Sequence, residues 1–365
     1  MTRQICSVTA FVVATTLMQH PVTGAKPGTA RPTIVDLGTL GGGVSDGYGI
    51  NNDPDDIQVV GYSTRADGFA HGFFWTAATG MIDLGSLGRS SFARAINDQG
   101  MIAGNSEGAV FENWPVVWTV SSGVWTIERL PTMTGTCRGN ALGLNNGING
   151  DSSAVVVVGD VWCGVVVGDV WSGASRAVMW RRPQGEWLIQ DLGTLPGDTD
   201  SSAWGVNDTG TVVGWSISST GINTAFRWHP NTGMVALPGL GGNTSAVAIA
   251  NNGDIAGTSI DAAGNSHAVR WRAIDDAIED LGTLGGCCSA GSGINTAGTV
   301  VGVSDVSSRG NQRANQRAFL ADPGAPMTEP GGSRGQSSAH ALNDFGTIAG
   351  TIFSGQPHAV IWKLQ

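Results

Sequence analysis

Residues 33–42 read "TIVDLGTLGG", and most of the phrase comes back as "DLGSLGR" at 83–89, "DLGTLPG" at 191–197 and "DLGTLGG" at 280–286. The leucine after the aspartate marks a period. Leu37, Leu84, Leu130, Leu192, Leu237 and Leu281 are 47, 46, 62, 45 and 44 residues apart. Repeats of that length build solenoids, arrays or propellers, one supersecondary unit per repeat. Within a unit, four short apolar runs stand between turn residues. After Leu84 they are "ARAIN" (93–97), "MIAGNS" (101–106), "PVVWTV" (115–120) and "VWTIERL" (124–130). Such runs, rich in Val, Ile and Trp and punctuated by Gly and Asn, are strands. Beyond the N-terminal segment no stretch carries a helical i, i+3, i+4, i+7 stripe, so the fold should be all-β.

The first run returns seven times: "YGIN" (48–51), "ARAIN" (93–97), "ALGLN" (141–145), "AWGVN" (203–207), "VAIAN" (247–251), "GSGIN" (291–295) and "HALN" (340–343). Asn followed closely by Gly is hairpin chemistry, so Asn207, Asn295 and Asn343 read as turn formers rather than ligand contacts. The second run carries a mid-strand Gly, as in "TVVGWS" and "DIAGTS", which implies close approach of a neighbouring backbone. The third run ends in Trp six times, at Trp75, Trp118, Trp180, Trp228, Trp271 and Trp362, with Ala321 in the seventh place. A Trp recurring at one strand position reads as packing between adjacent sheets.

The ends are out of phase. The repeat opens on a fourth strand, "TIVDLGTL" (33–40), and the chain stops after a third, "HAVIWKLQ" (358–365). Seven four-stranded sheets result only if the first strand joins the last sheet, which is how a β-propeller closes its ring and hides its edges. The expected fold is therefore a seven-bladed β-propeller of four antiparallel strands per blade over 33–365, with the N-terminal strand completing the C-terminal blade. Residues 1–25 read as a secretory signal: Arg3, an apolar stretch at 5–18, and small residues before Ala25. Residues 26–32 are a linker, and the mature chain is expected to be secreted or on the cell surface, without a membrane span.

Composition narrows the function. The net charge of −10 gives no field that attracts a phosphate backbone, so nucleic acid is not an expected partner. There is no H-E-x-x-H or Walker sequence. "NNDPDD" (51–56) and "GDTD" (197–200) lack the spacing of a calcium loop, and the histidines are too scattered for zinc; no metal or cofactor is expected. His71, His267, His340 and His358 read as packed strand residues.

Together the phrases "DLGTLGG", "GIN" and "G.VVG.S", with "HGF" (71–73), "TAF" (224–226), "HAV" (267–269), "RAF" (317–319) and "HAV" (358–360), resemble the HAF-repeat family of extracellular bacterial proteins. The likeness spans about residues 33–365 and is weakest in the third unit. It implies export and a repeat fold, and no particular reaction.

Two units depart from the pattern. Unit 3 holds "VVVGDVWCG" (156–164) followed at once by "VVVGDVWSG" (165–173), a tandem duplication expected in the loop between its second and third strands. Unit 6 holds "SDVSSRGNQRANQR" (304–317) in the equivalent loop. Asp160, Trp162, Asp169 and Trp171 from the first, with Arg309, Arg313 and Arg317 from the second, form a candidate ligand-binding set: aromatic faces and hydroxyl partners for sugar, cations for an anionic group. The rival reading is a slippage that the loop tolerates. Cys137 and Cys163 should share one face of unit 3, so a disulfide is feasible; Cys287 and Cys288 read as free thiols. The favoured function is a monomeric, non-enzymatic binding propeller, for carbohydrate or another envelope protein. A polysaccharide lyase or glycoside hydrolase, and a structural envelope component, are the alternatives. A cleft holding convergent ionisable groups would favour the enzyme, and a shallow face of Trp and Arg would favour binding.

Overall fold

The computed structural model describes residues 32–109, 112–133, 137–167, 170–306, 315–333 and 335–364. They form seven antiparallel sheets in a ring, a β-propeller. In blade 1 the strands are Gly41–Ile50, Gln58–Arg65, Ala70–Thr76 and Gly80–Asp83, running in order from the axis outward. The first strand of each blade touches the first strand of the next, and that of blade 7 (Gln336–Leu342) touches that of blade 1. Thr33–Asp36 pairs with Pro357–Lys363 in the register Thr33↔Lys363 to Asp36↔Val360, and completes blade 7. Seven apolar clusters fill the gaps between neighbouring blades. One joins Val60 and Phe74 of blade 1 to Ile102 and Trp118 of blade 2; another joins Val301 of blade 6 to Ile348 and Trp362 of blade 7. The six recurring tryptophans are all buried in these gaps.

Each letter of the repeated phrase has a bond. Asp36, Asp83, Asp191 and Asp280 accept the N–H of the glycine two residues on, which takes a positive φ. Three of these aspartates also bond the histidine of the third strand: His71–Asp83 at 2.7 Å, His267–Asp280 at 2.8 Å and His358–Asp36 at 2.9 Å. The next leucine donates its N–H to the third strand, as Leu37 does to the Ala359 carbonyl. The second leucine donates to the serine that ends the second run: Leu40 to Ser63, Leu87 to Ser106, Leu284 to Ser304.

The turn asparagines do more than form turns. Asn97 Oδ1 accepts the Met101 N–H across its own hairpin, while its Nδ2 donates to the Asn145 carbonyl in the next blade. Asn145 reaches Asn207, Asn207 reaches Ala250, Asn295 reaches Asn343, and Asn343 reaches Asn51 in the same way. Between blades 5 and 6 Asn252 takes over, donating to the Thr296 carbonyl. The hairpin tips are thus tied into a belt around the axis.

Two departures from expectation have physical causes. The duplicated block of unit 3 is not a loop. Val156–Val167 and Val170–Arg181 form one long hairpin, paired from Val156↔Arg181 to Val167↔Val170. The second copy folds back on itself, Val165–Val167 against Val170–Ser172, and the first copy pairs with Gly173–Arg181, so the β-branched insertion extends both strands. Blade 6 has three strands, Gly285–Ile294, Val300–Val306 and Asn315–Ala321; its fourth is reduced to a bridge between Leu320 and Thr328. Pro326 and Pro330 flank that bridge and have no N–H to give to a ladder.

Candidate functional site

Every first strand carries a bulge at the same place. The register slips between Gly47 and Gly49, Ala93 and Ala95, Ala141 and Gly143, Ala203 and Gly205, Ala246 and Ala248, Gly291 and Gly293, and Ala339 and Ala341. The bulged residues are Tyr48, Arg94, Leu142, Trp204, Val247, Ser292 and His340. A bulge re-aims a side chain, and here all seven line one cavity of about 380 Å³ on the axis, together with Asn140 and Asp160.

The flanking residues are small because the backbone leaves no room. A Cβ on Gly143 would lie 2.6 Å from the Trp204 carbonyl of the next blade, and one on Gly293 would lie 3.1 Å from the His340 carbonyl. The second-strand glycine is equally constrained. A Cβ on Gly61, Gly104, Gly159, Gly214, Gly257, Gly302 or Gly350 would stand 1.8–2.1 Å from a carbonyl oxygen of the first strand. The motif is therefore small–any–small–aliphatic, and only the second place is free of the fold's demands.

Chemistry is gathered on one side of the cavity. Arg94 stacks over Tyr48 with 4.7 Å from guanidinium carbon to ring centroid, and over Phe92 at 5.5 Å. Its buried Nε has no hydrogen-bond partner. Tyr48 meets the edge of His340 at 5.4 Å. His340 Nε2 is 2.9 Å from the Ser338 hydroxyl and 3.3 Å from Asp46, which also accepts a hydrogen bond from Thr351. Asp160 is held by Asn140 Nδ2 at 3.0 Å and the Ser202 hydroxyl at 2.8 Å. Burial pushes its carboxyl above the usual range, although both hydrogen bonds and the Arg94 charge pull the other way. Burial, then the Asp46 charge, pushes the Tyr48 phenol up, so it stays a neutral donor. Trp204 leaves 40% of its surface exposed. Across the axis, Val247 and Ser292 complete the lining with smaller side chains.

A second axial cavity of about 150 Å³ lies at the hairpin tips, walled by aliphatics such as Ile50 and Leu144 and by Asn52, Asp208 and Asp344. Those polar groups are engaged in the belt. Asp344 Oδ1 accepts the Thr296 N–H, and Asp208 Oδ1 accepts the Asn146 N–H.

Among the described residues of the candidate ligand-binding set, only Asp160 lines the axial cavity. Trp162 is half-buried on the second strand of blade 3, opposite Arg138 and Ser175, and is not among the cavity's lining residues. Arg317 is drawn against its own blade, with Nη1 3.2 Å from the Ser333 carbonyl and 4.0 Å from Glu329. Asp169, Arg309, Arg313 and the Trp171 side chain lie outside the described residues. Cys137 and Cys163 are joined as a disulfide, Cα–Cα 4.3 Å, with Cys163 on a strand rather than in a loop. His340, expected to pack within the sheet, faces the cavity instead, because the bulge turns it out of the pleat. Sequence reasoning missed the other cavity residues. Their signal was the variable place in "YGIN", "ARAIN", "AWGVN" and "HALN", where seven different residues stand inside an otherwise fixed phrase.

No family model matches the chain, and no curated protein does. Among solved structures, the chain is similar to TolB from Acinetobacter baumannii, at 12% identity over 84% of this chain and 80% of that one, TM-score 0.45. It is also similar to a putative TolB from Agrobacterium tumefaciens, at 16% identity over 72% and 86%, TM-score 0.43. An acylaminoacyl peptidase from Pyrococcus horikoshii matches at 10% identity over 86% and 52%, TM-score 0.48. At these levels the similarities carry nothing about ligand or activity.

Proposed function

We propose that the protein is an exported binding propeller that takes a small carbohydrate in its axial cavity. One observation carries the reading: the only unconstrained position of a seven-fold motif supplies ring faces and polar groups to a single cavity. Trp204 and Tyr48 offer the apolar faces on which sugar rings stack. Arg94, Asn140, Asp160 and His340 offer donors and acceptors to hydroxyls, and the unpartnered Arg94 Nε awaits an acceptor. The volume falls in the ordinary range of ligand pockets, roughly 300–1,000 Å³. The apolar stretch at 5–18 and the Cys137–Cys163 disulfide support the exported setting. The test is a glycan array on purified residues 33–365, followed by calorimetry with the best glycan. Trp204→Ala and Arg94→Gln should each weaken binding at least about tenfold, or 1.4 kcal/mol. Absence of any glycan hit, or variants that bind like the parent, would overturn the proposal.

A second reading has its own support. Tyr48, Arg94, Asp160 and His340 converge in one cleft, the arrangement that favours a polysaccharide lyase or hydrolase. If the site is catalytic, incubation with the bound polysaccharide releases new chain ends, and His340→Ala stops the release while binding persists. No release by the parent protein leaves the binding reading alone.

A further inference from the structure

The seven-fold repeat gives an internal control for any unusual cluster: a residue that the fold needs recurs in the other blades. In blade 6, Ser289 accepts the Ala268 N–H and donates to the Gly282 carbonyl, as Ser45 does with Ala359 and Gly38 in blade 1. The two residues before that serine are Cys287 and Cys288. Blade 1 has Gly43 and Val44 there, and blade 5 has Gly242 and Asn243 before Thr244. Asp305 follows Ser304, where blade 1 has Thr64 after Ser63 and blade 5 has Ile260 after Ser259. The fold therefore asks for neither the two thiols nor the carboxylate, yet blade 6 puts all three together.

The two sulfurs are 2.8 Å apart, and Cys287 Sγ is 3.2 Å from Asp305 Oδ2. One ligand atom from each of the three lies within 4.8 Å of the others. Asp305 is only 6% exposed, and its Oδ1 has no hydrogen-bond partner. No cation is paired with it among the described residues. A buried carboxylate with one oxygen unpartnered is costly, and a cation shared with two thiolates relieves that cost. Two sulfurs and one oxygen select a thiophilic ion over calcium or magnesium. Cys287 is exposed and Cys288 half-buried, so an entry path exists and the side chains have room to turn. Tetrahedral zinc with bonds of about 2.3 Å needs its sulfurs about 3.7 Å apart, which a rotation of the exposed Cys287 supplies.

We propose that Cys287, Cys288 and Asp305 form a three-ligand site for a thiophilic divalent cation of the zinc and cadmium class, with a fourth position open. Each thiol loses its proton to solvent as its sulfur–metal bond forms, so binding releases up to two protons. The site is separate from the axial cavity and independent of the function proposed for it.

The test is a cadmium chloride titration of the protein after treatment with a phosphine reductant. The thiolate-to-cadmium ultraviolet band is read, and zinc chloride is then added in competition. One equivalent should bind with a thiolate band that zinc bleaches. The band should vanish in Cys287→Ser/Cys288→Ser, which keeps Cys137 and Cys163 and so accounts for any signal from them. Asp305→Asn should weaken binding at least about tenfold. Blades 1 and 5 do without these residues, so the variants should keep the parent's circular dichroism. No band in the parent, an equal band in the double variant, or sulfurs that stay joined to each other under the reductant would overturn the proposal.

Discussion

Asp160 is a carboxylate held in the axis at a cost. Desolvation raises its folded pKa above the ordinary value of 3.8. An acid of that kind favours the folded state most where it is protonated in both states. That contribution is lost as pH rises from the ordinary value through the raised one. Asp160→Asn keeps an acceptor for Asn140 and a partner for Ser202, and removes the charge. Thermal unfolding should therefore show a higher Tm for the variant at pH 7, with the gap closing as pH falls towards 4. A gap that widens in acid would contradict the assignment. The glycines can be tested in pairs. A Cβ on Gly104 would stand 2.0 Å from the Phe92 carbonyl, whereas one on Gly43 would stand 3.8 Å from Gln356. Gly104→Ala should cost roughly 3 kcal/mol or more by denaturant unfolding, and Gly43→Ala within about 0.5 kcal/mol. At this scale the mid-strand glycines were legible, because a Gly in a strand announces a close neighbour. The second role of the asparagines was not. A hairpin explains Asn fully, and its bond to the next blade depends on a ring that local sequence does not describe.

At the scale of the element, the recurring Trp was legible as inter-blade packing. Trp271 is fully buried and donates its indole N–H to the Pro238 carbonyl at 2.8 Å. Trp271→Ala should cost roughly 3–5 kcal/mol in a denaturant titration, and a surface-like loss below about 1 kcal/mol would contradict its place in the wedge. The duplicated segment of blade 3 misled in an instructive way. An insertion between two strands is ordinarily a loop, but this one carries the strand pattern of the segment it copies and so lengthens both strands. The same hairpin holds Cys163 opposite Ala174, with Cys137 bonded to it just before the first strand. Losing that bridge, which spans a sequence separation of 26 residues, should lower stability by about 2–4 kcal/mol in Cys137→Ser/Cys163→Ser. An unchanged midpoint would mean that the bridge does not form. The weak fourth strand of blade 6 was not anticipated: the sequence period treated it as equivalent to the rest, and its signal, Pro326 and Pro330, was passed over.

At the scale of the whole molecule, the phase of the two ends was the decisive clue. A fourth strand at the start and a third at the end require closure, and Thr33–Asp36 lies along Pro357–Lys363 as that demands. The candidate site was far less legible. Attention to long loops led to residues of which, among those described, Asp160 alone reaches the axis. Convergence of seven variable positions is a property of the closed ring, and it can be found only by asking which letter of the repeat never repeats. The central claim is that each first strand divides its labour, with invariant places building the ring and one free place, at the bulge, facing the cavity. A substitution scan of all seven first strands, read by resistance to proteolysis, tests this without knowledge of the ligand. Tolerance should peak at Tyr48, Arg94, Leu142, Trp204, Val247, Ser292 and His340 and fall sharply at the small residues on either side. A flat profile, or one in which those seven positions are the least tolerant, would contradict the account.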